Sequence, residues 1–148
     1  MTITHANFTI ERRYPVAPER VYNAFADPVK KAKWFAGPPE WTSAKTMDFR
    51  EGGHETDVGG PVGGPVHSFE ATYVDIVPNE RIVYTYEMSL DDTRISVSVA
   101  TIEISADAAG TRLTLTELGA FFDGQDDPAE REHGTGLLLD GLGAYLAE

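Results

Sequence analysis

Apolar positions recur along this chain with two different periods, and the switch between them divides it into elements. In "FTIERRY", residues 8–14, Phe8, Ile10 and Arg12 alternate with Thr9, Glu11 and Arg13, the period of a strand with one buried face. In "VAPERVYNAFADP", Val21, Tyr22 and Phe25 fall at helical spacing behind Pro18, which suits a first helical turn. Pro28 ends that helix and opens a second, "PVKKAKWFAG", closed by Gly37. From Lys45 the period returns to two. "KTMDFREGG" puts Met47 and Phe49 on one face. "SFEATYVDIVP" carries Phe69, Ala71 and Tyr73 in one phase and Ile76 in the other, which predicts a β-bulge. "RIVYTYEMSL" sets Ile82, Tyr84, Tyr86 and Met88 against Val83, Thr85 and Glu87. "RISVSVATIEISAD" runs Ile95, Val97, Val99 and then switches to Ile102 and Ile104, so a second bulge is expected near Ala100. "TRLTLTELG" presents Leu113, Leu115 and Glu117 to one side. Short turns separate these strands, the pattern of an antiparallel meander.

The C-terminal stretch is helical. Asp127-Pro128-Ala129-Glu130 offers an N-cap, a proline at the first position and a glutamate three residues on, a capping-box-like start. Leu138, Leu139, Leu142, Tyr145 and Leu146 share one face, with Arg131 near its centre one turn in. Glu132, His133, Gly136, Asp140 and Gly143 fall on the other face, and Gly134 and Gly141 border the inward one. Glycines cost about 1 kcal/mol each in a helix interior, so they mark either close backbone approach or a tolerated weakness, and in both cases a soft element suited to gating. The expected architecture is α+β: strand, two short helices, a curved antiparallel sheet of six to seven strands in all, and one long helix packed on it. A strongly bent sheet gripping one helix leaves space between them.

Composition narrows the function classes. The chain has 148 residues, enough for a single domain with a real core, so residues 1–148 are expected to form one. It carries 24 acidic against 12 basic residues, a net charge of −12. Its largest basic group, "KKAK", sits among aromatics, so neither nucleic acid nor an anionic membrane is an expected partner. There is no cysteine, which removes disulfides, thiolate catalysis and cysteine-based metal sites. "MTITHANFTIERRYP" has no apolar signal-peptide core, and no apolar run approaches the ~18 residues of a membrane span. The expected location is cytoplasmic. His5, His54, His67 and His133 show no close ligand spacing, although His54 and His67 are candidates to meet across a hairpin near Asp57; no metal or cofactor is expected.

Five blocks carry a resemblance: "YPVAPERVYNAFADPVKKAKWF", "FREGG", "YVDIVPNERIVYTYEM", "GTRLTLTELGAFFDG" and "EREHGTGLLLDGLGAYL". In this order, over nearly the whole chain, the set resembles the START-like SRPBCC superfamily, in the branch related to the activator of heat-shock protein 90 ATPase. The resemblance implies the helix-grip fold and a cavity between sheet and helix. Its members include lipid carriers, hormone receptors, polyketide cyclases and chaperone activators, so fold does not decide function.

Trp34, Phe35, Trp41, Phe49, Phe69, Tyr84, Tyr86, Met88, Phe121 and Leu138 are either ordinary core or the lining of that cavity. Glu117 shares a phase with Leu113 and Leu115, which turns its carboxylate inward, where it needs a partner. Arg131 is the candidate, and the pair would orient a polar ligand head; the alternative is that the strand ends at Thr116 and both face solvent. Tyr84 and Tyr86 offer hydroxyls to a substrate or are half-buried strand aromatics. "GGHETDVGGPVGGPVHSF", residues 52–69, lies between strands and has no lysine or following helix, so it is a hairpin tip near the cavity entrance rather than a phosphate loop. Three functions remain: binding of a small hydrophobic or amphipathic ligand, a polyketide cyclase- or dehydratase-like enzyme, and a chaperone-activator-like interaction module. A closed apolar cavity favours the first, an open one holding a polar residue with a shifted pKa the second, and an exposed outer patch the third. Free edge strands leave room for a homodimer.

Overall fold

The computed structural model describes residues 1–148. The chain runs β1 (Ile3–Tyr14), α1 (Pro18–Ala26), α2 (Pro28–Lys31), β2 (Thr42–Met47), β3 (His54–Gly60), β4 (His67–Val77), β5 (Arg81–Leu90), β6 (Thr93–Asp107), β7 (Gly110–Phe122) and α3 (Pro128–Leu146). The seven strands form one sheet in the order β1-β7-β6-β5-β4-β3-β2, antiparallel throughout. This is the expected α+β helix-grip arrangement: a meander from β2 to β7, with β1 added beside β7 and α3 held across the concave face. No helix is long and apolar enough to cross a membrane.

The first bulge falls where the phase change put it, with the β4–β5 register breaking between Tyr73 and Asp75. The second does not. Met88 pairs with Ser96 and Ser89 with Arg94, so the extra residue is Ile95 and not one near Ala100. The inward row of β6 is therefore Ser96, Ser98, Ala100, Ile102 and Ile104, while Val97 and Val99 turn outward, 37% and 39% exposed. The valines read as the apolar face because periodicity weighs hydrophobicity, whereas this stretch of sheet needs small inward residues. Large side chains from β5 and α3 lie across it. On the outer face Val99 is paired with Leu118, which is 55% exposed.

The core has Tyr73, Ile82, Ile102 and Leu113 on the sheet against Val21, Ala24, Leu139, Leu142 and Leu146 of the helices. α2 stops at Lys31, well short of Gly37. Asp27 caps its N-terminus at 2.9 Å from the Val29 amide, and the Trp34 indole donates to the Ala24 carbonyl at 3.0 Å, pinning the following turn to α1.

α3 starts as the sequence requires, with Asp127 accepting from the Ala129 amide at 2.9 Å. Glu130 does not complete a capping box; the Asp127 amide donates instead to Asp126 at 2.9 Å. The helix is clasped to β1 by the Tyr14 hydroxyl on the Leu139 carbonyl (2.8 Å) and by Arg12 on Asp140 (2.8 Å). Gly136 and Gly143 face this clasp, not solvent: a Cβ on either would come within 3.3 Å of Arg12 or the Tyr14 ring. Close backbone approach is thus real but falls on these two glycines, while Gly134 has open space beside it. The helical wheel missed this because α3 packs on β1 as well as over the sheet centre.

Candidate functional site

Between the curved sheet and α3 lies a cavity of about 750 Å³, partly open to solvent. Ten of the twelve side chains singled out from the sequence line it: Trp34, Phe35, Trp41, Phe69, Tyr84, Tyr86, Met88, Glu117, Arg131 and Leu138. Phe49 does not; its ring packs at 4.9 Å against Tyr73 and 5.9 Å against Tyr22. Phe121 does not either, but lies 5.0 Å beneath the Arg131 guanidinium and supports it from outside.

The aromatic wall is continuous. Trp34 meets Phe35 edge-on at 5.7 Å, Phe35 meets Phe69 at 5.5 Å, and Phe69 meets Tyr86 at 5.1 Å. These residues come from the turn after α2 and from β4 and β5, whose inward phase delivers them. At the mouth Trp41 stacks on His67 at 4.6 Å, beside Gly59. The glycine-rich stretch is thus a hairpin at the cavity rim, and a Cβ at Gly59 would sit 1.9 Å from the Thr42 carbonyl oxygen, so strands β2 and β3 touch there only because that side chain is missing. His54 is at the other end of the hairpin, opposite Thr72, and does not meet His67.

One polar cluster converges on the cavity. Glu117 is 4% exposed, so β7 continues past Thr116 and turns the carboxylate inward. The expected direct contact with Arg131 is replaced by a bridge. The Tyr86 hydroxyl donates to Glu117 Oε1 and accepts from Arg131 Nη1 at 3.1 Å. Arg131 takes its own carboxylate from Asp126, at 2.5 Å, and donates to Ser96 at 2.9 Å. The bridge exists because β6 is small: Ala100 stands between Glu117 and Tyr84, and Ser98 between Gly119 and Tyr86, so the tyrosine lies diagonally over β6. Burial pushes the Glu117 carboxyl above its ordinary pKa, against the opposing pull of the Tyr86 hydrogen bond and the Arg131 charge. Burial and then the Glu117 charge push the Tyr86 phenol up as well.

A second buried cluster was not foreseen. Lys31 Nζ donates to Glu55 Oε1 at 2.7 Å, and the Tyr73 hydroxyl donates to the same oxygen. The ammonium also lies 4.4 Å from the Phe35 ring centre. Burial lowers the Lys31 pKa, with Glu55 opposing. Glu55 pairs with inward-facing Ala71, and the spacing Lys31–Phe35 is one helical turn, so the register carried the signal. The basic run around Lys31 hid it by reading as solvated.

Comparison with known proteins came to the same fold. The family model described as Activator of Hsp90 ATPase homolog 1-like protein matches residues 15–147. A solved structure from Rhizobium leguminosarum is 40% identical, with 99% of this chain and 97% of that chain covered and a TM-score of 0.94. One from Rhizobium loti is 42% identical over 98% and 99%, with a TM-score of 0.92. One from Chromobacterium violaceum is 28% identical over 96% and 97%, at 0.81. None of the curated proteins matches. A match that begins at Pro15 and runs to the end of α3, together with structures superposing from end to end, shows that the chain belongs to the Activator of Hsp90 ATPase homolog 1-like family, a branch of the START-like superfamily.

Proposed function

We propose that the protein binds a small amphipathic molecule between the sheet and α3. The apolar body lies along Phe35, Phe69 and Leu138, and the polar end meets Tyr86, Glu117 and Arg131. The observation that carries this is the cavity's make-up: about 750 Å³, an aromatic wall, and one buried polar cluster directed inward. That is the size and composition of ligand pockets in general.

Both tryptophans of the chain line the cavity, so occupancy is readable from intrinsic fluorescence. Titration with 1-decanol is expected to give a saturable change at one molecule per chain. Leu138→Trp, which fills the cavity, is expected to abolish the binding, read by displacement of Nile red. A linear, non-saturating response in the parent protein would sink the reading.

One observation favours an enzyme instead. Glu117, with a raised pKa and a hydroxyl partner in Tyr86, is the kind of pair that moves protons. Recovery of a chemically altered ligand, at a rate lost in Glu117→Gln, would shift the assignment to a cyclase- or dehydratase-like activity. A partner role in the manner of a chaperone activator would draw on the outer face at Val97, Val99 and Leu118 and would leave the cavity without a task.

A further inference from the structure

We infer that the cavity selects a cationic head, an alkyl- or arylalkyl-ammonium, and discriminates against the carboxylate of a fatty-acid-like ligand. The inference rests on the binding function proposed above and adds the sign of the ligand's charge.

The argument starts from what the polar groups have left to offer. Two cations line the cavity, Lys45 and Arg131, against four carboxylates, Asp57, Glu117, Asp126 and Glu130. Both cations are already engaged, Lys45 with Asp57 at 2.6 Å and Arg131 with Asp126 at 2.5 Å. Beside Glu117, an incoming carboxylate would have to break the Arg131–Asp126 pair, whose cation side chain is only 11% exposed, or enter without a counter-ion, and either course is unfavourable; Lys45, 30% exposed, holds its pair at the solvent-accessible side.

Glu117 is the opposite case. Its Oε1 accepts from Tyr86, and no side chain closes a hydrogen bond on Oε2. Thr135 stands near on α3 and helps to hold the Glu117 pKa down, but the hydrogen bond its hydroxyl closes is to the Arg131 carbonyl at 2.9 Å. The protein has no fully buried side-chain oxygen without a partner, so Oε2 keeps accessible surface. Since Glu117 is 4% exposed and lines the cavity, that surface is cavity surface. An acceptor on a residue that is 4% exposed and faces the cavity calls for a donor.

The walls suit a charged donor better than a neutral one. Tyr86 touches the carboxylate, and the Phe69 ring lies 5.1 Å from the Tyr86 ring on the same cavity wall. Aromatic faces attract ammonium groups through the ring quadrupole, and desolvation strengthens the attraction. Lys31, with its ammonium 4.4 Å from the Phe35 ring and paired to a glutamate, is an internal instance of the same recognition in this chain. The net charge of −12 adds long-range attraction for cations.

The test uses three ligands of one chain length, all below their micelle concentrations: decylamine, 1-decanol and decanoate. Binding is read by tryptophan fluorescence in the parent protein and in Glu117→Gln. The expected order is decylamine, decanol, decanoate, with the amine about tenfold tighter than the alcohol, the order of one charge-assisted hydrogen bond over a neutral one. In Glu117→Gln the amine-to-alcohol ratio is expected to fall to about one. Decanoate binding as tightly as decylamine, or decylamine no tighter than decanol, overturns the inference in the parent protein alone, whatever the variant's stability. A preference that survives Glu117→Gln overturns it too, by assigning the selectivity to overall charge. Failure of all three ligands to saturate removes the binding function itself.

Discussion

Lys31, Glu55 and Tyr73 form one buried polar cluster; Arg131, Glu117 and Tyr86 form another from the same kinds of side chain. In the first, cation and hydroxyl converge on one carboxylate oxygen, with the Lys31 and Glu55 side chains only 6% and 8% exposed. In the second, the hydroxyl stands between cation and carboxylate, and the cation's ion pair is with Asp126. The first cluster is closed, its cation bonded directly to its carboxylate away from the cavity, and holds α2 onto β3. The second is open, its carboxylate lining the cavity with no cation bonded to it directly. The difference comes from the strands: Glu55 and Tyr73 sit on neighbours, β3 and β4, whereas Glu117 and Tyr86 are separated by β6. Similar chemistry becomes a staple or a site according to whether the cation pairs with the carboxylate directly and whether that carboxylate faces the cavity.

The comparison breaks most visibly at the closed cluster. Lys31→Met leaves Glu55 buried without its counter-ion, and the expected loss is about 3–5 kcal/mol by urea denaturation. A loss under about 1 kcal/mol would show that Glu55 escapes to water and that the cluster is not a staple. Arg131→Met tests the open cluster in the same way. Its expected cost is smaller, about 2 kcal/mol, because Asp126 is 23% exposed and rehydrates while Tyr86 still serves Glu117. Equal losses in the two variants would erase the distinction.

The finest test is in pH. Glu117 has a folded pKa above its unfolded one, so its protonated form favours the fold. That contribution is fully present below the unfolded pKa, about 4.3, and is lost as pH rises through the folded value. Glu117→Gln lacks the dependence. The parent protein is therefore expected to lose stability relative to the variant as pH is raised from about 4 towards 8, in paired denaturation curves. A gap that widens in the parent's favour over that range would mean that Arg131 and Tyr86 outweigh the burial.

The aromatic wall was legible in the sequence because strand period alone delivers Tyr84, Tyr86 and Met88 to one face. Glu117 was legible by the same rule, its phase with Leu113 and Leu115. What the sequence hid were relations across strands. The Tyr86 bridge depends on Ala100 and Ser98 being small, and their own strand read as facing the other way because Val97 and Val99 were the greasier residues. Phe49 lies past the end of β2 and packs on Tyr73, and Phe121 sits under Arg131, both beyond the cavity; no one-dimensional pattern marks where a strand or a cavity stops. Lys31 was hidden by composition: a lysine beside another lysine reads as surface until a register places Glu55 within reach.

Six of the seven strands are joined to a sequence neighbour by a short connection, and each hairpin closes a small loop. The seam between β1 and β7 is different, with Ile3 opposite Phe122 and Tyr14 opposite Thr111. Loop closure grows costlier with length, and a pairing this distant is rewarded only after the intervening chain has organised. The route to the native state should thus zip from β2 to β7 and end when β1 arrives, bringing Arg12 and Tyr14 to α3. The clasp that fixes the roof of the cavity is then expected to form late, so access to the interior and the longest-range pairing of the sheet lie at the same seam.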